Sequence, residues 1–147
     1  MKGVDVAIKL AKEFEGCMLT SYWDKYGDCW SVGYGYTGDD IDARTIWTQK
    51  KAEARLVERM TLAAKALIKI SPCLLNDTPE RQGAMIDFVY NLGAGAYRGS
   101  TLRKCIDVGD WNNAAIEIVK WDHAGNKVLA GLTKRRIAEA KLLLLQE

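Results

Sequence analysis

The feature that most constrains this chain is a change of rhythm at Gly16. Ahead of it, Ala7, Leu10, Ala11 and Phe14 recur at i, i+3, i+4 and i+7, one apolar stripe along a helix. Behind it, Leu19, Tyr22, Trp23, Trp30, Val32 and Tyr34 are strand-favouring types, broken by Gly27, Gly33, Gly35 and Gly38. A helix therefore stops at Gly16, a natural left-handed cap, and two or three short antiparallel strands follow. The helical rhythm returns from Thr48, a plausible N-cap, to about Ile70, through Ala52, Leu56, Met60, Ala63, Ala64, Leu67 and Ile68. At roughly 1.5 Å per residue this helix spans more than about 30 Å.

Ser71-Pro72 ends that helix, and Thr78-Pro79-Glu80 starts another with a cap, a proline at the first position and an early acid. Ala84, Met85, Phe88, Val89 and Leu92 are its expected buried stripe. Residues 93–99 read as a loop. Ser100 caps a helix over Leu102 to Val108, and Asp110 caps one carrying Trp111, Ala114, Ala115, Ile118 and Val119. A loop with Gly125 and Asn126 follows. The last helix runs from about Thr133, with Ile137, Ala140, Leu143 and Leu144 packing inward. The expected class is α+β, mostly α.

Two carboxylates stand in the stretch around Gly16. Glu15 occupies the last helical turn, and Asp24 follows nine residues later at a strand end or in the first turn. On different elements, beside aromatic and glycine-rich backbone, such a pair suits cleavage of a sugar polymer: one carboxyl protonates the leaving oxygen and the other works on the opposite face of the ring. The negative end of the helix disfavours an anion at Glu15 and so favours the proton-donating form. The competing assignments are a solvated glutamate and a turn-capping aspartate. The segment Gly33-Tyr34-Gly35-Tyr36-Thr37-Gly38 also spells a nucleotide-binding glycine pattern. That reading fails, because Asp39, Asp40 and Asp42 follow where a phosphate-binding helix would have to open.

With 147 residues the chain makes one domain with a core of its own. Its net charge is +2; residues 1–60 carry 9 basic and 10 acidic side chains, and residues 61–147 carry 12 and 9. This mild basic bias helps adhesion to an anionic surface and is too weak to argue for nucleic acid. The four cysteines, at 17, 29, 73 and 105, and the lone His123 have no zinc-site spacing. The sequence opens without a secretory signal and contains no membrane-spanning run, so free thiols are expected. His123 has no Ser or Cys nucleophile motif to serve.

Several motifs in order carry a resemblance. Glu15-Gly16, Tyr22-Trp23-Asp24 and Trp30-Ser31-Val32-Gly33-Tyr34-Gly35-Tyr36-Thr37-Gly38 are followed by the runs at 88–93 (Phe-Val-Tyr-Asn-Leu-Gly), 100–103 (Ser-Thr-Leu-Arg), 109–111 (Gly-Asp-Trp) and 131–136 (Gly-Leu-Thr-Lys-Arg-Arg). Together they resemble the phage endolysin-type lysozymes, glycoside hydrolase family 24, over nearly the whole chain. The resemblance implies a lysozyme-like fold in a single domain, 1–147. A small antiparallel sheet lobe covers about 16–46, a linking helix about 48–70, and a helical lobe about 71–147 together with the N-terminal helix, with a cleft between the lobes.

The resemblance also implies a muramidase that hydrolyses the β-1,4 bond between N-acetylmuramic acid and N-acetylglucosamine in peptidoglycan, for host lysis. Glu15 is its acid and Asp24 its second carboxylate. Ser31 stands where the family has a threonine, in a segment one residue longer than usual. Thr37, Tyr90, Asn91 and Thr101 are its substrate contacts, with Trp121 behind them. Arg135, or Arg136 beside it, approaches the glutamate. Tyr36 stands where a histidine is usual. Implied too are a monomer, no cofactor or metal, no nucleic acid, no stable membrane insertion, and synthesis in the host cytoplasm with a holin opening the way to the wall and periplasm. A wall-binding relative with weak or no catalysis, and an unrelated helical binding module, remain alternatives.

Overall fold

The computed structural model describes residues 1–146; Glu147, with which the expected helical lobe ends, lies outside the described residues. Helix α1 (Gly3–Glu15) forms on the expected stripe and buries Ala7, Leu10 and Ala11. It ends where Gly16 takes a φ of 64°. Its ψ of −178° is extended, so the chain runs straight on into the sheet and does not curl through a left-handed turn.

Strands β1 (Met18–Asp24), β2 (Cys29–Gly33) and β3 (Tyr36–Thr37) form an antiparallel sheet in that order. The hairpin turn over 25–28 carries Asp28 at a φ of 52°. The outer edge of β1 is paired by the segment before the next helix: Ser21 N donates to Thr45 O at 2.9 Å and Trp47 N to Leu19 O at 2.8 Å. Helix α2 (Gln49–Ile70) follows, its first turn capped by Thr48 Oγ1, which accepts from Lys51 N at 3.1 Å. A 3-10 turn over Pro72–Asn76 leads to α3 (Pro79–Leu92), capped by Thr78.

A stripe proves too narrow a description of α3. Every residue from Gln82 to Val89 is buried, because α1, α2 and the last helix all pack around it. The crossing with α1 is close: a Cβ on Gly83 would stand 2.4 Å from the Val6 Cβ. The expected loop over 93–99 contains a short helix, α4 (Ala94–Arg98), held by fully buried Tyr97 edge-on to Phe88. Here tertiary packing overrides the poor helix propensity of Gly95. Helices α5 (Thr101–Asp107) and α6 (Trp111–Ile118) carry the Ser100 and Asp110 caps. The expected loop around Gly125 and Asn126 is a tight hairpin between β4 (His123–Ala124) and β5 (Lys127–Val128).

Helix α7 (Ala130–Leu144) starts earlier than Thr133 and is rotated from the expected orientation. Its inward face carries Arg135, Arg136, Glu139, Ala140 and Leu143, while Ile137 and Leu144 are 42% and 46% exposed. Residues 135, 136, 139, 140 and 143 share one helical face. Once ion pairs bring the arginines in, Ile137 must point out. Among the described residues no helix is long and apolar enough to cross a membrane.

Candidate active site

The end of α1 brings Glu15 over the β2–β3 turn. A Cβ on Gly35 would lie 2.6 Å from Glu15 Oε2, and Gly35 itself has a φ of 76°. That backbone conformation favours glycine here. The backbone of this glycine-rich turn thus comes close to the protein's own carboxylate.

Glu15 is held from the other side by α7. Arg135 Nη1 donates to Glu15 Oε1 at 2.5 Å, while its Nε and Nη2 donate to Asp87 Oδ2 and Oδ1 at 2.9 and 2.7 Å. Asp87, on α3, is fully buried and Arg135 nearly so, whereas the Glu15 side chain is 22% exposed. Burial works to lower the Arg135 pKa, but the hydrogen bonds and charges of Asp87 and then Glu15 outweigh it and hold the guanidinium above its ordinary value. The negative helix end is thus not the only charge acting on Glu15. Both arginines of α7 are buried. Arg136 is paired with buried Glu139 one turn on.

The sheet presents the second carboxylate. Asp24 ends β1, and its Oδ1 accepts from Tyr26 N at 3.0 Å, so it also caps the turn. In the register, Tyr22 pairs with Ser31, and Ser31 pairs in turn with Thr37. Directly paired residues point to one face of a sheet, and residues two apart on a strand do the same. Asp24, Tyr22, Ser31 and Thr37 therefore share a face. The segment between Asp24 and Ser31 turns over residues 25–28, with Asp28 in a left-handed conformation, and Ser31 lies on the side of Asp24. Burial raises the Tyr22 phenol pKa, the charges of Glu15 and Asp24 raise it further, and the Ser31 hydroxyl opposes them. Both carboxylates are thus close enough to act on one phenol.

Beside this face lies a cleft of about 310 Å³, lined by Gly35 to Thr37 from the sheet, by Arg59, Leu62 and Ala63 from α2, and by Tyr90 near the end of α3. Tyr90 Oη donates to Tyr34 O at 2.6 Å, tying α3 to the β2–β3 turn. Its phenol pKa is pushed up by burial and then by Glu15. Tyr36 meets Trp47 at a tilt, with centroids 4.9 Å apart, has the Arg59 guanidinium over its ring at 4.6 Å, and its hydroxyl donates to Asp40 at 3.4 Å. Thr37 and Tyr90 meet in this cleft. Asn91 and Thr101 are not among its lining: Asn91 Oδ1 is buried without a partner among the described residues, and Thr101 is exposed at the start of α5. Trp121 packs edge-on to Phe88 and belongs to the core. His123 sits on β4 beside Asp122.

Sequence reasoning passed over Asp87, Glu139, Arg59 and Tyr22. Asp87 had one signal, an acid set between Ile86 and Phe88 in the most apolar run of α3. Tyr22 and Arg59 had none beyond their place in a motif and on a helix. Among the described residues no group of His, Cys, Asp and Glu side chains is arranged to hold a metal ion.

Known proteins resemble this chain in sequence and in fold. An endolysin of Bacillus phage B103 is 34% identical over 147 residues, covering 95% of this chain and 53% of the relative. This chain thus spans about half the length of that protein. A SAR-endolysin of Enterobacteria phage PA-2 is 36% identical, covering 88% of this chain and 77% of the relative. The solved endolysin from Escherichia coli O157:H7 phage FAHEc1 superposes with a TM-score of 0.81 at 27% identity, over 97% of this chain and 90% of that one. The family model described as phage lysozyme matches residues 12–139, and the chain belongs to the phage lysozyme family.

Proposed function

We propose that this chain is a muramidase of bacterial peptidoglycan, cleaving the β-1,4 bond between N-acetylmuramic acid and N-acetylglucosamine in the course of host lysis. The observation that supports the reading is two carboxylates next to one cleft, Glu15 over Gly35 and Asp24 at the end of β1, the cleft itself lined by Gly35, Tyr36 and Thr37. Glu15 is clamped by Arg135 over a glycine that leaves it room, and Asp24 stands on the sheet face that also carries Ser31. The relatives named endolysins support it.

In this mechanism Glu15 donates its proton to the bridging oxygen as the bond from that oxygen to the sugar C1 breaks. The oxygen leaves with the electron pair as the hydroxyl of the departing sugar. Arg135 stabilises the carboxylate left behind. Asp24 either stabilises the positive ring or takes a proton from a water that attacks C1. The row of hydroxyls beside Asp24 favours the second role, because a water needs two to four polar partners to be held. The new C1–OH bond then completes the hydrolysis, and solvent returns the proton from Asp24 to Glu15.

Thr37 and Tyr90 meet the sugars in the cleft, with Asn91 and Thr101 beyond it. Arg59, which makes no ion pair among the described residues, suits the carboxylates of peptidoglycan. Ser31 takes the hydroxyl role of the family threonine. No cofactor is needed. The protein works as a monomer, is made in the host cytoplasm and reaches the wall once a holin has opened the membrane.

Turbidity loss of outer-membrane-permeabilised Gram-negative cells tests the reading. The parent is expected to clear them and Glu15→Gln to leave them turbid. Clearing by both moves the chemistry away from Glu15. Clearing by neither, with sedimentation onto walls intact, supports the wall-binding alternative.

A further inference from the structure

The mechanism leaves one side chain on the catalytic face without a task. Tyr22 is paired across the strands with Ser31, is two residues from Asp24 on the same face, and is close enough to feel the charge of Glu15. It is half-buried. With burial and both charges acting against ionisation, it keeps its proton and remains an O–H donor as well as an acceptor.

A water aimed at one face of a sugar carbon has to be held in both position and orientation. Asp24 supplies one partner and Ser31 a second. A serine hydroxyl rotates freely and lacks the methyl that fixes a threonine rotamer, so these two leave the water loosely held. A phenol on a rigid ring, anchored on the neighbouring strand and directed to the same face, completes the set of three partners an ordered buried water typically has.

We infer that Tyr22 is a positioning residue which, together with Ser31, holds the water that Asp24 activates. The inference rests on the muramidase reading above. In the step itself the water oxygen forms the bond to C1 and its proton passes to Asp24. Tyr22 only hydrogen-bonds and keeps its own proton throughout. A tyrosine that merely packed would affect folding and leave the turnover of folded molecules alone.

The test compares Tyr22→Phe, Ser31→Ala and the double variant on purified peptidoglycan, with thermal unfolding of each. Tyr22→Phe is expected to lower kcat about 10- to 100-fold at unchanged KM, since a misplaced reactant costs rate of that order. The double variant is expected to lose far less than the product of the two single losses, because both residues hold one water. A wild-type kcat for Tyr22→Phe, or losses that multiply in the double variant, overturns the role. A second measurement does not depend on activity. The Tyr22 phenol, labelled at 13Cζ and assigned with Tyr22→Phe, is titrated by NMR in the parent, in Glu15→Gln and in Asp24→Asn. Both variants are expected to titrate at lower pH than the parent; movement in neither overturns the placement. Intact peptidoglycan with the parent protein overturns the muramidase reading, an outcome distinct from cleavage by the parent and by Tyr22→Phe alike.

Discussion

Helices α2 and α7 carry apolar side chains at similar helical spacings in the sequence, yet they meet the core in opposite ways. The inward face of α2 holds Ala52, Leu56, Met60, Ala63, Ala64 and Leu67. The inward face of α7 holds Arg135, Arg136 and Glu139 beside Ala140 and Leu143. Burying charge is costly unless every group is paired, and even then it rarely stabilises more than an apolar face would. The pairing on α7 is incomplete: Arg136 Nε and Nη1 and Glu139 Oε2 are buried without hydrogen-bond partners among the described residues. Helix α2 serves the fold. Helix α7 gives up stability to hold a guanidinium against Glu15, which ties the proposed acid to a buried ion network.

The sharpest way to break this comparison is Arg135→Ala. It strands the fully buried Asp87 as an unpaired charge, with an expected loss of about 3–5 kcal/mol. It also releases Glu15, so wall clearing per folded molecule is expected to fall as well. Chemical denaturation and turbidity read the two losses separately. Arg135→Lys keeps the charge but cannot grip both carboxylates with a planar fork; it is expected to recover part of the stability and little of the activity. Unchanged clearing by Arg135→Ala would detach α7 from the site. The counterpart on α2 is Met60→Ala, at a position with no exposure. An expected loss of about 2–5 kcal/mol should leave clearing per folded molecule as it was.

The same contrast marks what the sequence made legible. Apolar periodicity located α1 and α2, and short polar side chains located four helix starts: Thr48, Thr78, Ser100 and Asp110 each accept from a backbone N–H in the following turn. These signals are local, so they survive without knowledge of the fold. The sheet was legible from its residue types, but its register was not, and the register is what puts Tyr22 opposite Ser31. The buried ion network was hidden for a further reason. Charged side chains are expected in solvent, and an Arg136–Glu139 pair three residues apart resembles an ordinary surface pair. Nothing in a single sequence links Arg135 to Asp87 across α3. Glu15 and Asp24 were singled out by their place around the helix-to-sheet change and then by motif order, and neither signal reports geometry.

A pH experiment probes the least satisfied part of α7. Burial pushes the Glu139 carboxyl well above its ordinary value of 4.5, against the pull of Arg136. A carboxyl raised in the fold binds more protons there than in the unfolded chain. Its contribution to stability is therefore fully present at low pH and is lost as pH rises from the ordinary carboxylate range toward the folded value. Glu139→Gln, which cannot ionise, is expected to remove this slope. Thermal unfolding of both proteins from pH 4 to pH 8 checks it, and parallel curves would show that Glu139 is ionised in the fold.

The smallest expected effect decides the rotation of α7. Apolar spacing alone places Ile137 and Leu144 in the core, where a charged replacement would cost several kcal/mol through burial of an unpaired ion. The fold turns them to solvent, because Arg135 is drawn to Asp87 and the inward face is already taken. Ile137→Lys and Leu144→Lys are accordingly expected to change stability by no more than about 0.5 kcal/mol each, with clearing unchanged. Denaturant midpoints measured beside Leu143→Ala, on the same helix and fully buried, supply the scale. If Ile137→Lys unfolds the protein as readily as Leu143→Ala, the helix faces the core with its apolar stripe, and Arg135 loses the geometry that lets it reach Glu15.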